Sequence, residues 1–181
     1  MIDLPVLIGS SVTLRRPRSE DVLDRLALGQ APEIVRMFGA DPAAVRPLTE
    51  VATREWIDRL GQHPHAWVIE HDGKFLGEIR LDAVDDNDRR ARLAVGLYDP
   101  AKLGLGLGRQ AIRLVLGHAF HGLKLHRVGL RVVEYNVRAI RCYLACGFVE
   151  EGREREAAFV SGEWHDDVIM GLLAREFERP A

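Results

Sequence analysis

Gly104-Leu105-Gly106-Leu107-Gly108-Arg109 is the stretch on which the reading of this sequence turns. Before it, a run of alternating residues ends at Asp99-Pro100. After it, Ile112, Val115, Leu116, Ala119, Phe120 and Leu123 recur at i, i+3, i+4, i+7, i+8 and i+11, the spacing of one helix face, and predict an amphipathic helix of about four turns starting near Gly106. Glycine at every second position lets the backbone turn where a Cβ would forbid it and lets a ligand approach the amides. The helix adds unpaired N–H groups and the positive end of its dipole. A pyrophosphate fits such a seat; a turn with a helix cap that binds nothing is the plainer alternative.

Spacing narrows the ligand. A Walker loop closes on Gly-Lys-Ser/Thr, and this one closes on Gly108-Arg109, so an ordinary P-loop is excluded. The dinucleotide fingerprint G-x-G-x-x-G has a longer final gap and stands at the head of a series of βαβ units, whereas this loop follows an antiparallel pattern. Glu134, near the end of the next strand, could imitate a ribose-binding acid and keeps that reading open.

Outward from the loop, Trp67-Val68-Ile69, then Phe75, Gly77, Ile79 and Leu81, then Leu93, Val95 and Leu97 predict a three-stranded antiparallel meander from Ala66 to Asp99, with turns at His71-Asp72-Gly73 and Asp85-Asp86-Asn87-Asp88. Further out, Val12 to Arg16 reads as a strand feeding a helix opened by Glu20-Asp21, with Val22, Leu23, Leu26 and Ala27 on one face. Pro32 to Pro47 is a broken arm, a substrate wall or a connector, before a helix capped by Thr49 with Val51, Trp56, Ile57 and Leu60 at helical spacing. On the C-terminal side, His126 to Val133 reads as a strand, Asn136 to Cys146 as a helix ended by Gly147, Phe148 to Val149 as a strand, and Glu163-Trp164 through Val168 to Leu173 as the closing strand, with a short helical tail before Pro180.

Composition agrees with one ordinary globular domain over residues 1–181. The 47% hydrophobic and 29% charged residues exclude disorder, and a chain of this length buries roughly two thirds of its unfolded surface without needing metals or disulfides. Lys plus Arg number 25 against 27 Asp plus Glu, leaving no overall field for nucleic acid or anionic membrane. No run reaches the ~18 to 20 apolar residues of a membrane span, and Met1 to Gly9, with Asp3 and Pro5, does not read as a secretory leader, so a cytoplasmic protein is expected. Cys142 and Cys146 lie on one helix face and read as reduced core thiols, and the histidines show no metal spacing, so no metal is expected.

The ordered set of motifs resembles the GNAT superfamily of N-acetyltransferases, in particular the branch of ribosomal-protein alanine N-acetyltransferases. It runs from Leu14-Arg15-Arg16-Pro17 through Trp56-Ile57, Leu76-Gly77-Glu78-Ile79, Asp99-Pro100 and the glycine loop to Glu134-Tyr135-Asn136, Tyr143, Gly147-Phe148 and Gly162-Glu163-Trp164-His165-Asp166. The resemblance implies an α/β fold whose mixed, mostly antiparallel sheet is splayed between two central strands and flanked by helices. It places acetyl-CoA in the split, with its pyrophosphate on the amides of Gly104, Leu105, Gly106, Leu107, Gly108 and Arg109, Leu103 also against the cofactor, and its pantetheine arm along the strand near Val95 to Tyr98, where Val95 and Leu97 are the expected contacts. An amide of that strand would meet the thioester carbonyl, where negative charge grows.

The same resemblance gives Asn136, a good N-cap in its own right, a contact to the pantetheine arm. Tyr143, two helical turns further along the same face, becomes the general acid for the departing thiolate. Arg138, with Lys102 and Arg141, is a candidate for the nucleotide phosphates. Two residues depart from the pattern: Leu103 stands where relatives open the loop with Arg or Gln, and Arg92 stands near the Glu that relays the amine's proton in many of them. Guanidinium cannot be that base. Glu78, which shares a strand face with Asp82, is therefore the expected base, directly or through water, and Trp164, His165 and Asp166 are the expected acceptor-side residues.

The reaction implied is direct attack of a primary amine, on a protein N-terminus or a small molecule, upon acetyl-CoA in a ternary complex. A noncatalytic acyl-CoA-binding regulatory domain and a nicotinamide-dinucleotide enzyme are the alternatives. A homodimer is common among similar proteins.

Overall fold

The alternation between Ala66 and Leu97 becomes three paired strands in the computed structural model, which describes residues 4–177; the readings placed on Asp3 and Pro180 lie outside it. They are β3 (Ala66–His71), β4 (Lys74–Asp85) and β5 (Arg90–Leu97), counted after β1 (Leu7–Ile8) and β2 (Thr13–Arg15). Three more complete the sheet: β6 (Arg127–Val133), β7 (Val149–Val160) and β8 (Glu163–Leu173). The order across it is β1-β2-β3-β4-β5-β6-β8-β7, and every neighbouring pair is antiparallel except β5 with β6.

That exception shapes the molecule. β5 and β6 are parallel and pair only at Arg90 with Arg127, Ala91 with Val128 and Arg92 with Gly129. β5 stays paired with β4 as far as Leu97, and β6 stays paired with β8 as far as Val133. Beyond Arg92 and Gly129 the two halves of the sheet therefore part, leaving facing edges whose N–H and C=O groups have no partner strand.

Helices cover both faces. The strip read around the glycine loop is α4 (Leu107–Gly117), running on as a π-helical turn over His118–Gly122; Leu107, Ala111, Ile112, Val115, Leu116, Ala119 and Phe120 are buried on the sheet. Each large apolar side chain removed from water contributes about 1.5–3 kcal/mol, so this face anchors the loop in front of it. α5 (Val137–Ala145) packs beside α4, and α1 (Asp21–Leu28) and α3 (Glu50–Gln62) close a second core with Val68 and Phe75 on the other face. The broken arm is α2 (Pro32–Met37) with a 3-10 turn at Pro42–Ala44, and α6 (Ala174–Phe177) ends the described chain.

Three sequence expectations need correction. In α1, Leu23 and Ala27 are exposed, and the buried residues are Asp21, Val22 and Arg25. Asp21 goes inward because Arg15, from the adjoining strand, grips both its oxygens at 2.7 and 2.9 Å and also holds Glu70 at 2.5 Å. In α3, Thr49 does cap the helix, but Val51 is exposed while Thr53 takes a buried place. The strand expected at Phe148 to Val149 is the 12-residue β7, whose charged residues carry no alternation because it is an edge strand exposed on both faces.

Candidate active site

The parting of β5 from β6 opens a cleft of about 1810 Å³. A single small-molecule site usually occupies ~300–1,000 Å³, so this one has room for two reactants. Its walls are the free edges of the two strands, the glycine loop, α5, the α2 arm and the β7–β8 hairpin.

The loop leaves its amides free. Gly104 and Gly106 stand at φ of +79° and +81°, a left-handed conformation that costs a residue with a Cβ about 1–2 kcal/mol. The first backbone bond of α4 runs from the Gln110 N–H to the Gly106 carbonyl. Among the described residues, no protein acceptor takes the amides of Gly104 to Arg109, so six consecutive donors remain at the mouth of the split. Leu103 and each residue from Gly104 to Arg109 line the cleft, as do Val95 and Leu97 on the strand before them. Lys102, Arg138 and Arg141 add cationic side chains to the same wall. A diphosphate matches that donor set and charge.

Asn136 and Tyr143 reach this cleft from α5. Asn136 Oδ1 caps the helix by accepting the Ala139 N–H at 3.1 Å, and its Nδ2 donates to the Met37 carbonyl at 3.0 Å. Tyr135 Oη donates to the Arg36 carbonyl at 2.7 Å. The arm is thus tied across the cleft, and Ile34, Met37 and Phe38 line it. The Tyr143 ring packs edge-on against Phe148, and its hydroxyl has no acceptor among the described residues. Burial lifts the phenol above its ordinary pKa, so it stays protonated at neutral pH.

The two cysteines are free thiols. Cys142 lines the cleft beside Tyr143, while Cys146 is buried. Cys146 Sγ lies 3.9 Å from the Arg109 carbonyl, and interaction with the neighbouring Cys142 together with burial pushes the Cys146 thiol up.

The acid–base residues fall differently. Glu78, Arg80 and Asp82 do share a face of β4: Arg80 donates to Glu78 at 2.7 Å and to Asp82 at 3.0 Å. Glu78 is buried, with the Tyr98 hydroxyl 3.4 Å from Oε1 and no partner on Oε2. Burial raises its pKa against the pull of Arg80. Its side chain lies behind the cleft wall, which Arg80 and Asp82 form in its place. Arg92 lines the cleft at the point of the split.

Trp164, His165 and Asp166 also lie off that wall. Trp164 is 60% exposed and packs on Phe159 at the hairpin, His165 meets the edge of Tyr135, and Asp166 accepts the Glu156 amide. From the same hairpin Phe159 and Asp167 face the cleft instead. Glu134, the acid that kept a ribose contact open, is taken up by Arg153 and the Asp166 amide. Among the described residues there is no group of three or more His, Cys, Asp or Glu able to hold a metal, and no helix is long and apolar enough to cross a membrane.

Residues 11–149 match the acetyltransferase (GNAT) domain, and the chain belongs to that family. It is 32% identical over 174 residues to YdaF, a candidate ribosomal N-acetyltransferase of Bacillus subtilis (strain 168), with 93% of each chain covered. A crystal structure described as that of a candidate acetyltransferase superposes with a TM-score of 0.80 at 28% identity, covering 98% of this chain and 91% of the other. The spermidine N-acetyltransferase of Vibrio cholerae, solved in complex with CoA and spermine, superposes with a TM-score of 0.76 at 26% identity, covering 94% and 100%.

Proposed function

We propose that this protein transfers an acetyl group from acetyl-CoA to a primary amine by direct attack in a ternary complex. The observation that carries this reading is the coincidence of the strand split with the six acceptor-free amides of residues 104 to 109 at its mouth. Acetyl-CoA supplies the activated acyl group; the protein's residues do the rest. The amides from Gly104 to Arg109, with Lys102, Arg138 and Arg141, hold the phosphates, and the free edge of β5 from Val95 to Leu97 offers backbone groups to the pantetheine arm and the thioester oxygen. Asn136 positions α5, and Tyr143 hands its proton to the departing sulfur. Glu78, the base expected from the sequence, is shut behind Arg80 and could reach the amine's proton only through an intervening water, so it has no direct route to the acceptor.

The acceptor enters on the side of the arm and the β7–β8 hairpin that carries Trp164, His165 and Asp166. It is an amine of the kind the relatives' names record, a small-molecule amine such as spermidine or, following the ribosomal branch, a protein N-terminus. Arg92 in place of an acid supports one other reading, a noncatalytic acyl-CoA sensor on the same fold. Calorimetric titration with acetyl-CoA and, separately, NADH, followed by thiol release over a panel of amines, decides among them. Saturable acetyl-CoA binding with amine-dependent thiol release is expected; binding without release makes the sensor correct, and NADH binding alone overturns both. Exchanging Cys142 and Cys146 together for Ser should leave the rate within about twofold, since neither carries the acetyl group; a rate lost without loss of acetyl-CoA affinity would establish a covalent intermediate.

A further inference from the structure

Two buried carboxylates lie in one row across the sheet, on opposite sides of the split. Four residues past the last β5–β6 pair, Arg92 with Gly129, stand Gly96 and Val133, and these pair outward with Glu78 and Asp167. Strand alternation puts all four on the face away from α4 and α5. The arm crosses the split over this row: a Cβ on Gly96 would come within 2.9 Å of Phe38 Cζ, and one on Gly39 within 3.0 Å of Val133 Cγ2.

The two acids differ in what they are free to do. Glu78 accepts from Arg80 and Tyr98 on Oε1 alone and leaves Oε2 unpaired, but it stands behind the wall, where an acceptor in the cleft does not reach it. Asp167 is on the wall, only 6% exposed, and no donor among the described residues hydrogen-bonds its carboxylate. Its one ion pair among the described residues is an approach of Arg131 Nε at 3.7 Å, too long for a hydrogen bond, from a side chain 67% exposed. A carboxylate so little exposed and without donors keeps only what solvent the cleft brings it, and an ammonium group in the cleft would pair with it.

We propose that Asp167 is the catalytic base of the acetyl transfer, binding the acceptor's ammonium and taking its proton directly from the β6–β8 side of the split. This rests on the acetyl-transfer reading above. The ammonium gives one N–H proton to Asp167, and the freed nitrogen lone pair forms the N–C bond as the thioester C=O opens. When the C=O re-forms, the C–S bond breaks with its electron pair on sulfur, which takes the Tyr143 proton. The nitrogen's second proton replaces the one Tyr143 gave, and Asp167 releases the first to solvent. One amide, one free thiol and one proton result. The groups facing Asp167 are Arg131 from β6, Glu154 from β7 and Tyr135 beyond β6; burial raises its pKa against the pull of Arg131, with Glu154 adding to the rise, and a raised pKa makes the carboxylate a better proton acceptor.

The test compares the wild type with Asp167→Asn, Asp167→Glu and Glu78→Gln, using spermidine, n-butylamine and an Ala-initiated tetrapeptide as acceptors. Asp167→Asn should lower kcat/KM for the amine at least 100-fold while acetyl-CoA Kd, by calorimetry, stays within twofold, which also reports an intact fold. Its residual rate should climb about tenfold per pH unit toward the acceptor's own pKa, because only free amine then reacts; a merely structural role would not produce that slope. Asp167→Glu should restore activity to within about tenfold of wild type, and it stands against Asp167→Gln if the Asn variant does not fold. Asp167→Asn within threefold of wild type, or Glu78→Gln the more damaging change, overturns the inference and leaves the transfer reading standing. A wild type that releases no thiol with any of the three amines takes down both.

Discussion

The glycine loop and the β7–β8 hairpin border the same cleft and are made on opposite plans. The loop offers backbone: six amides, oriented by two left-handed glycines and held by a buried helix face. The hairpin offers side chains, Phe159 and Asp167, from strands whose pairing slips at two points, between Glu150 and Gly152 and between Glu154 and Ala158. A backbone site recognises whatever is common to every turnover, because its geometry survives most changes of side chain. A side-chain site recognises what differs between acceptors, and one substitution redirects it. Under the proposed transfer the division would set a shared cosubstrate on one wall and an acceptor on the other.

The sharpest way to break this contrast is Gly106→Val. Nothing lies within 4 Å of where its Cβ would go, so the change tests backbone conformation without crowding. At φ +81° a β-branched residue must turn the loop, and the amide array turns with it. Acetyl-CoA Kd should rise about 100-fold at a melting temperature within a few degrees of wild type. A Kd within threefold would show that side chains, and not amides, hold the phosphates.

Tyr143→Phe probes the side-chain half of the chemistry. The ring packs on Phe148 either way, and only the hydroxyl is lost. A fall in kcat of about tenfold to 100-fold, with acetyl-CoA Kd unchanged, is expected of a positioned acid. Equal losses in kcat and affinity would mean that the hydroxyl only helps to bind.

The same contrast explains what could be read from the sequence. The loop, α4 and the β3–β5 meander were legible because glycine spacing, a 3.6 period and a 2.0 period each have one structural reading. β7 was not: Glu150 to Glu156 meets solvent on both faces, so no face-to-face difference was written into it. Nor could Asp166 and Asp167 be told apart, since only the register with Val133 decides which of two adjacent acids enters the cleft. Arg80 beside Glu78 was legible from the same period-two face, but Tyr98 was not, because it reaches Glu78 from the end of β5, a position that only the folded sheet brings near.

The smallest effect is expected where the loop departs from its family's pattern. Leu103 lines the cleft just before the left-handed Gly104, in extended backbone at φ −73° and ψ 148°, and any side chain can occupy that conformation without strain. Leu103→Arg therefore adds a guanidinium beside the phosphates and leaves the amides in place. One additional charge-assisted hydrogen bond near solvent contributes about 1 kcal/mol, less in salt. Acetyl-CoA Kd should tighten by about threefold to fivefold at low ionic strength, shrinking to nothing near 0.5 M salt, with kcat unchanged. A salt-independent gain of 50-fold or more would mean that the wild-type amides hold the phosphates poorly and that the backbone wall is not the principal anchor.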